Sequence, residues 1–267
     1  MSVSGPDSPE AHSVDSTYLT RLAVFGKLYL FPSVGSTNDI ARQLKARGTP
    51  ALVVAETQTK GRGRFGRVWE SRPGGLYFSL LLFPDSERKA LCGLIALLAG
   101  LACVKSVERN CSLKSEIAWP NDVLVAHRKL AGFLCESKGQ ALIVGCGINV
   151  NQEGFPRELT EATSLRILTG REYDRYALLA SFLAEFKHLY DDLKPQNLLP
   201  LLGEIKAHTS MLNHPVQAEV GFPGLGTLGA RKITGTALDI DNTGRLILRA
   251  ANGRVVALSE GTVRRIR

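Results

Sequence analysis

Gly61-Arg62-Gly63-Arg64-Phe65-Gly66-Arg67-Val68-Trp69 is the stretch that says most about the fold and function of this chain. Its glycines permit positive φ angles and let the backbone approach a ligand closely. Its arginines suit carboxylate or phosphate oxygens, and its tryptophan offers a face on which a ring can stack. The segment predicts a loop that binds a small anion with an aromatic part. A solvated basic turn and an arginine–glycine element that binds RNA are the alternatives.

Hydrophobic periodicity on both sides of this loop alternates between strand and helix. Strands are predicted at 27–31, 52–56, 76–83, 113–119, 122–126, 130–136 and 141–150, and helices at 38–47, 89–107, 174–193 and 197–207. The turn at 32–37 offers Ser36 or Thr37 as a helix cap. Because several strands are adjacent in sequence, we expect an α+β fold with a mixed sheet.

The composition changes along the chain and predicts three parts. Residues 1–24 are polar and weakly periodic, which predicts a loose N-terminal segment. Residues 25–212 hold the alternating elements and predict the larger domain, which contains the basic loop. Residues 213–267 contain short strands separated by turn signals at 223–224, 242–244 and 252–253, which predict a small SH3-like β-barrel.

Composition and charge narrow the class of protein. Of 267 residues, 44% are hydrophobic and 22% are charged, which excludes a disordered or fibrous chain. The longest apolar run, between Lys89 and Lys105, is shorter than the ~18 residues of a membrane span, and the polar N-terminus is not a secretory signal. Location in the cytoplasm follows as the expectation. The formal net charge of +8 predicts binding of nucleic acid or of anionic substrates.

The five cysteines carry no metal-binding pattern. They are scattered, odd in number and without a CxxC pair, which predicts buried thiols and no zinc site. The five histidines are equally dispersed, and none has an acid at catalytic spacing. The sequence therefore identifies no metal ligands with certainty.

Four further motifs place small or polar residues at the ends of predicted elements. They are Gly35-Ser36-Thr37-Asn38, Trp119-Pro120-Asn121-Asp122, Lys129-Leu130-Ala131-Gly132 and Gly145-Cys146-Gly147-Ile148-Asn149. The first begins a helix, where capping alone also explains a serine or threonine. The lysine of the third is either an edge residue with its charge in solvent or a buried cation facing a carboxylate or phosphate. Each motif is weak evidence by itself.

Taken in order, with Gln58 before the basic loop, the five motifs resemble the catalytic domain of the biotin protein ligases. The resemblance covers about residues 33–170 by motif, and the small C-terminal β-domain also fits. It implies an ATP-dependent enzyme that forms biotinyl-5′-AMP and transfers biotin to a lysine of a carrier protein. Its substrates would be biotin and ATP, with Mg²⁺ entering through ATP.

The resemblance also implies roles for individual residues. Biotin would contact Ser36, Thr37, Asn38, Gln58, Gly61, Arg62, Gly63, Arg64 and Lys129. ATP or the adenylate would contact Arg64, Arg67, Trp69, Asn121, Asp122, Lys129 and Asn149. Lys129 and Arg64 would be catalytic, and the glycine-rich loop would close over the adenylate as a lid. One residue departs from the family pattern, since Ala118 stands where a lysine usually precedes the Trp-Pro-Asn-Asp motif. Lys105 or Lys114 would have to compensate.

The implied partner is a biotin carboxyl carrier protein of acetyl-CoA carboxylase or of a related biotin enzyme. The alternatives are a lipoate-type ligase, which lacks the basic loop, and a nucleic-acid-binding module. Fewer than ~35 residues precede the Gly-Ser-Thr-Asn turn, whereas a winged helix needs ~60. We therefore expect a monofunctional ligase without specific DNA binding, with no membrane association, and with a homodimer as an open option.

Overall fold

The larger sheet forms the frame of the molecule. The computed structural model describes residues 16–220 and 231–266. Within them the sheet has seven strands in the order β1-β2-β3-β7-β6-β5-β4. These strands are β1 (Lys27–Val34), β2 (Ala51–Gln58), β3 (Leu76–Leu82), β4 (Glu116–Ala118), β5 (Asp122–Val125), β6 (Arg128–Lys138) and β7 (Ala141–Ile148). Strands β1 and β2 are parallel and the other neighbours are antiparallel, so the sheet is mixed, as predicted.

The described residues contain seven α-helices. They are α1 (Ser16–Leu22), α2 (Thr37–Leu44), α3 (Ser86–Ala90), α4 (Ile95–Cys111), α5 (Leu165–Thr169), α6 (Arg175–Asp191) and α7 (Leu198–Ala207). Helix α4 is apolar on most of its surface because it is buried between the sheet and α6. Asp174 is the N-cap residue of α6, and its carboxylate accepts hydrogen bonds from the backbone of Tyr176 and Ala177.

Side chains of each strand alternate between two faces, and the two faces serve different purposes. On one face Phe78 of β3 and Val144 of β7 join the large core with α4 and α6. On the other face Leu81 and Ile143 join a small cluster beneath α2. Further along this second face the side chains become small, which leaves space for a ligand. The helices thus cover one face fully and the other only in part.

The C-terminal residues form a second sheet. It has the strand order β11-β10-β9-β8-β12, and all its pairs are antiparallel. Its strands are β8 (Pro215–Val220), β9 (Arg231–Ile240), β10 (Leu246–Ala250), β11 (Val255–Leu258) and β12 (Thr262–Arg265). This is the small SH3-like β-domain expected after the mixed-sheet domain. The indole of Trp119 donates a hydrogen bond of 2.8 Å to the carbonyl of Gly244, which joins the two sheets.

The structure corrects several predicted elements. The predicted loose segment includes helix α1, which packs against α6. Strand β1 continues through Pro32, because an edge strand tolerates a residue without an N–H. The predicted helix 89–107 is a short α3 followed by α4, and the strand predicted at 113–119 is only Glu116–Ala118. Helix α5 and strand β12 were not predicted. Residues 1–15 and the predicted turn at 223–224 lie outside the described residues.

Candidate active site

A large pocket of about 900 Å³ opens on the sheet face that α2 covers only in part. Its walls are the start of α2, the basic loop, the segment 155–162 and strand β12 of the C-terminal sheet. The site residues predicted from sequence that line it are Ser36, Thr37, Asn38, Gln58, Arg62, Gly63, Arg64, Arg67, Trp69, Asn121, Asp122, Lys129 and Asn149. Gly61 is buried directly beside this wall. The structure thus gathers segments that are far apart in sequence.

The floor of the pocket is one row of paired residues across four strands. Gly147 pairs with Gly132, Gly132 with Asp122, and Asp122 with Ala118. Glycine is required here by close approach, since a Cβ on Gly147 would lie 2.4 Å from the indole ring of Trp69. The glycines thus make room for a tryptophan lying on the sheet.

The Gly-Ser-Thr-Asn turn is held by Gln58 and not by its own serine. Ser36 is the N-cap residue of α2, yet its side chain makes no capping hydrogen bond. Instead Gln58 Oε1 accepts hydrogen bonds from the backbone N–H of Thr37 (2.8 Å) and from its hydroxyl (3.1 Å). Gln58 Nε2 donates to Ser71 Oγ at 3.0 Å. The capping explanation for Ser36 is therefore wrong, and its buried hydroxyl faces the pocket.

Asn38 is anchored to the sheet by three groups. Its Nδ2 donates to Glu136 Oε2 at 2.7 Å and to the carbonyl of Leu134 at 3.4 Å. Its Oδ1 lies 2.6 Å from the hydroxyl of Ser79. A Cβ on Gly145 would lie 2.2 Å from Asn38 Oδ1, so glycine is required at this position as well. Both N–H groups of the amide are engaged within the protein.

The basic loop has its own internal structure. The N–H of Gly63 donates to the carbonyl of Arg67 (2.7 Å), and the N–H of Trp69 donates to that of Gly61 (3.0 Å). Phe65 adopts a φ of 60°, in the left-handed region that is costly for a residue with a side chain. The loop is therefore a small hairpin, with Arg64 and Phe65 near its tip.

The three arginines of the loop have different partners. Arg62 binds both carboxylate oxygens of Asp39, at 2.6 and 2.7 Å. Arg64 forms no salt bridge within the described residues; its guanidinium donates to Asn121 Oδ1 at 3.2 Å, and burial lowers its pKa. Arg67 donates to Thr262 Oγ1 of β12 at 3.3 Å. Arg64 and Arg67 thus face the pocket without a salt bridge among the described residues, whereas Arg62 is paired with Asp39.

Lys129 lies at the other end of the pocket floor. Its ammonium is 2.7 Å from Asp122 Oδ2 and 5.3 Å from the centroid of the Trp69 ring. Lys129 faces a carboxylate, as the second interpretation from sequence expected, but it is not buried, because about a third of its side chain is exposed (35%). Asp122 Oδ1 and Trp69 Nε1 are buried and have no hydrogen-bond partner among the described residues. Such atoms are acceptors and donors that a ligand would satisfy.

Asn149 and Trp119 serve the framework of the pocket. Asn149 is buried, its Nδ2 lies 3.5 Å from the carbonyl of Lys129, and its Oδ1 accepts from Gln152 Nε2 at 3.3 Å. It therefore holds the backbone of Lys129 in place. Trp119 lines the pocket, but its N–H is engaged by the C-terminal sheet.

Sequence reasoning missed the carboxylates and the hydroxyl that hold the site. Asp39, Glu136 and Ser79 were not identified, although Asp39 directly follows the Gly-Ser-Thr-Asn motif. A charged residue beside a ligand-binding turn was the available signal. Neither lysine proposed to compensate for Ala118 does so. Lys105 pairs with Glu204 at 2.5 Å, and exposed Lys114 is not among the pocket residues.

Two absences concern only the part of the chain that the structure describes. No group of three or more His, Cys, Asp or Glu side chains is arranged to hold a metal ion. No helix there is both long and apolar enough to cross a membrane. All five cysteines are unpaired, and burial raises the pKa of Cys103 and Cys146.

Comparison with known proteins agrees with this geometry. The Biotin/lipoate A/B protein ligase family matches residues 30–152, and the Biotin protein ligase C terminal domain matches residues 225–264. The bifunctional ligase/repressor BirA of Bacillus subtilis is 36% identical, over 87% of this chain and 73% of its own length. The biotin--[acetyl-CoA-carboxylase] ligase of Mycobacterium tuberculosis is 31% identical, over 90% of each chain.

A solved structure supports the same assignment. The biotin protein ligase from Aquifex aeolicus in complex with biotin and ATP is 33% identical, with a TM-score of 0.78, and the match covers 91% of this chain and 100% of that chain. Fold and site thus define a ligase that activates a carboxylic acid with ATP. The chain belongs to the biotin protein ligase family.

Proposed function

We propose that the pocket binds biotin beside the Gly-Ser-Thr-Asn turn and ATP beside Lys129 and Trp69, and that the chain transfers biotin to a carrier lysine. The carboxylate of biotin attacks the α-phosphorus of ATP, and the bond to pyrophosphate breaks. The lysine amine then attacks the acyl carbon of biotinyl-5′-AMP, AMP leaves, and the amine loses a proton. The two half-reactions use one pocket.

One observation carries this proposal: the family motifs converge on a single pocket with a polar end and a cationic end. The polar end presents the hydroxyl of Ser36 and the amide of Gln58, which suit a small neutral ring. The cationic end presents Arg64 beside Asn121 and Lys129 beside Asp122. Positive groups fixed where negative charge accumulates lower the barrier for attack of one anion on another.

Magnesium enters this scheme with ATP. The residue that fits it best is Asp122, because its Oδ1 has no hydrogen-bond donor and carboxylate oxygen is a preferred ligand of Mg²⁺. The metal would neutralise charge on the triphosphate. We propose that Asp122 and Asn121 orient the metal-bound triphosphate or the incoming lysine, while Lys129 remains paired with Asp122 Oδ2 until substrate arrives.

We propose a biotin carboxyl carrier protein as the partner, from acetyl-CoA carboxylase or a related biotin enzyme. The test is incubation with biotin, MgATP and an isolated carrier domain, read out by streptavidin blot. A carrier with the target lysine changed to arginine is the matched control. We expect labelling of the wild-type carrier alone. Equal labelling of both carriers, or labelling without ATP, would contradict the proposal.

We further propose that the protein acts in the cytoplasm and does not read a DNA operator. A gel shift at about 200 mM salt, where nonspecific phosphate contacts are weak, tests the second point. Sequence-selective retardation at that salt concentration would overturn it. The edge of the larger sheet at β1 offers a surface for pairing between two copies, and sedimentation of the ligand-bound protein would reveal a homodimer.

A further inference from the structure

We infer that Asp39, Arg42 and Glu136 are positioning residues that fix the basic loop to the biotin-binding turn, and that Arg62 is the anchor of the loop and not a ligand for substrate anions. This inference rests on the proposed function in one respect: the turn and the loop are taken as parts of the biotin site. The contacts that support it stand in the protein without ligand.

The contacts form one alternating series of charges. Arg62 binds Asp39 through both of its terminal nitrogens, at 2.6 and 2.7 Å. Arg42 bridges the two acids, binding Asp39 Oδ1 through one nitrogen and Glu136 Oε1 through the other, the latter at 2.7 Å. Glu136 Oε2 then accepts from Asn38 at 2.7 Å. The series runs from the loop, across α2, to strand β6 and back to the turn.

Each carboxylate oxygen of Asp39 and Glu136 accepts a hydrogen bond within the protein. The charges in this series are therefore paired with one another. The hydrogen bond from Arg62 is the largest cause of a lowered pKa of Asp39, and Asp39 raises the pKa of Arg62 in return. The charge of Arg62 is therefore neutralised locally. A substrate carboxylate or phosphate would have to displace Asp39 to bind it. Arg64, two residues later, has no such competitor among the described residues.

The same series explains why the amide of Asn38 has no N–H left to donate to a ligand. Its two N–H groups are used by Glu136 and by the carbonyl of Leu134. Asn38 thus fixes the first turn of α2 against the sheet, although it lines the pocket beside Ser36 and Thr37. A shared network of bidentate contacts holds geometry better than an isolated surface pair, whose contribution is small. Loosening one member should therefore be felt at both the loop and the turn.

The experiment uses five variants of the full chain, of which the fifth is the conservative Asp39→Glu. Asp39→Asn and Arg62→Gln each break the central pair, and the double variant completes a cycle. Glu56→Gln is the matched control, because Glu56 is similarly buried and pairs with Arg175 at 2.7 Å but does not line the pocket. Thermal melting and circular dichroism verify that each variant is folded. Two readouts follow: hydrogen exchange of residues 61–69 without ligand, and the KM for biotin in pyrophosphate exchange.

We expect Asp39→Asn and Arg62→Gln each to speed hydrogen exchange of the loop and to raise the KM for biotin about three- to tenfold, with kcat changed less than about twofold. The double variant should show the same loop exchange rate and KM for biotin as either single variant. Asp39→Glu, which keeps the carboxylate, should lie between the wild type and Asp39→Asn in both readouts. Unchanged loop exchange, additive effects, or a large loss of kcat would overturn the inference. If the wild type shows no biotin-dependent pyrophosphate exchange, the proposed function is wrong. Hydrogen exchange of the loop still tests this inference in that case.

Discussion

Two cation–carboxylate pairs flank the pocket, and they are built differently. Asp39 has donors on both oxygens, since Arg62 binds both of them and Arg42 also binds Oδ1. Asp122, paired with Lys129 at 2.7 Å, uses only Oδ2, and its Oδ1 is buried without a partner. The first pair is complete in the free protein, whereas the second lacks one contact. A complete pair fixes structure, and an incomplete one is available to a ligand.

The neighbours in sequence and register account for this difference. The Arg62 pair lies at the start of α2, where a second arginine one helical turn away reaches the same acid. Asp122 of β5 pairs directly with Ala118 of the neighbouring strand β4. A longer cationic side chain at this position could donate a hydrogen bond to Asp122 Oδ1. The departure from the family pattern thus falls at the incomplete pair. The predictions below separate the two pairs, beginning with the largest effect.

Lys129→Ala should lower biotin-dependent pyrophosphate exchange by about 10²–10³, the scale for loss of one preorganised electrostatic contact. Its ammonium lies beside the incomplete carboxylate and the tryptophan face, where the α-phosphate is proposed to bind. Lys105→Ala is the control, since that lysine pairs with Glu204 away from the pocket. A loss of less than tenfold would remove Lys129 from the catalytic group.

Arg64→Gly should weaken retention of biotinyl-5′-AMP about tenfold to a hundredfold, by loss of a charge-assisted hydrogen bond and by a more flexible loop. Because its charge has no carboxylate partner in the described residues, adenylate formation should continue while the intermediate escapes. The measurement compares biotin transfer to bystander protein with transfer to the carrier. Abolished adenylate formation without release would show that Arg64 acts with Lys129 in the first step.

Proteolysis near Arg64 tests whether the loop acts as a lid. The loop hairpin is held by few backbone hydrogen bonds and carries a strained φ at Phe65, so ligand should protect it. We expect cleavage to slow by about tenfold when biotin and ATP are bound. Equal cleavage rates with and without ligand would contradict a closing role.

Ala118→Lys should raise the rate of one half-reaction by roughly fivefold, which corresponds to about 1 kcal/mol. The new ammonium would lie across the strand from Asp122 and reach its unpartnered oxygen. Pyrophosphate exchange and carrier transfer, measured separately, identify the half-reaction. A change of less than twofold in both would show that the substitution is neutral in this chain.

The smallest expected effect is the pH dependence of the complete pair. The pKa of Asp39 is held below its ordinary value of 3.8, mainly by the hydrogen bond from Arg62. A carboxyl with a lowered folded pKa contributes stability that is present above 3.8 and is lost as the pH falls through the folded value. The melting temperature of wild type should therefore exceed that of Asp39→Asn near neutral pH, and the gap should close in acid. A gap that stays constant as the pH falls from neutral into the acid range would contradict the pairing.

The sequence predicted the frame and the pocket better than the contacts inside it. The central strands and the mixed sheet were predicted from hydrophobic periodicity, because a strand that is buried on one or both faces has a recognisable pattern of apolar residues. The convergence of the motifs followed from their resemblance to a family. Helix α5 and strand β12 escaped prediction because they are short and their placement depends on tertiary pairing, with Ser164 capping one and β8 pairing with the other.

The assignment of partners was the harder step. Ser36 was open to a capping role that Gln58 performs from a neighbouring strand, and nothing local in the sequence connects the two. Arg62 and Arg64 look equivalent in a repeated Gly-Arg pattern, yet only the fold brings Asp39 to the first of them. Long-range partners decide whether an arginine anchors a loop or faces a ligand. Such partners are not encoded in the local spacing of residues.

Pyrophosphate exchange into ATP, with biotin or lipoate as the acid, tests the central claim most directly. We expect pyrophosphate exchange with biotin and MgATP, and none without Mg²⁺. Exchange with lipoate should be at least about a hundredfold slower, because lipoate lacks the polar ring groups that the pocket would hydrogen-bond. Such a result requires a pocket whose polar end reads the biotin ring and whose cationic end activates its carboxylate. Equal exchange with both acids, or none with biotin, would contradict the account.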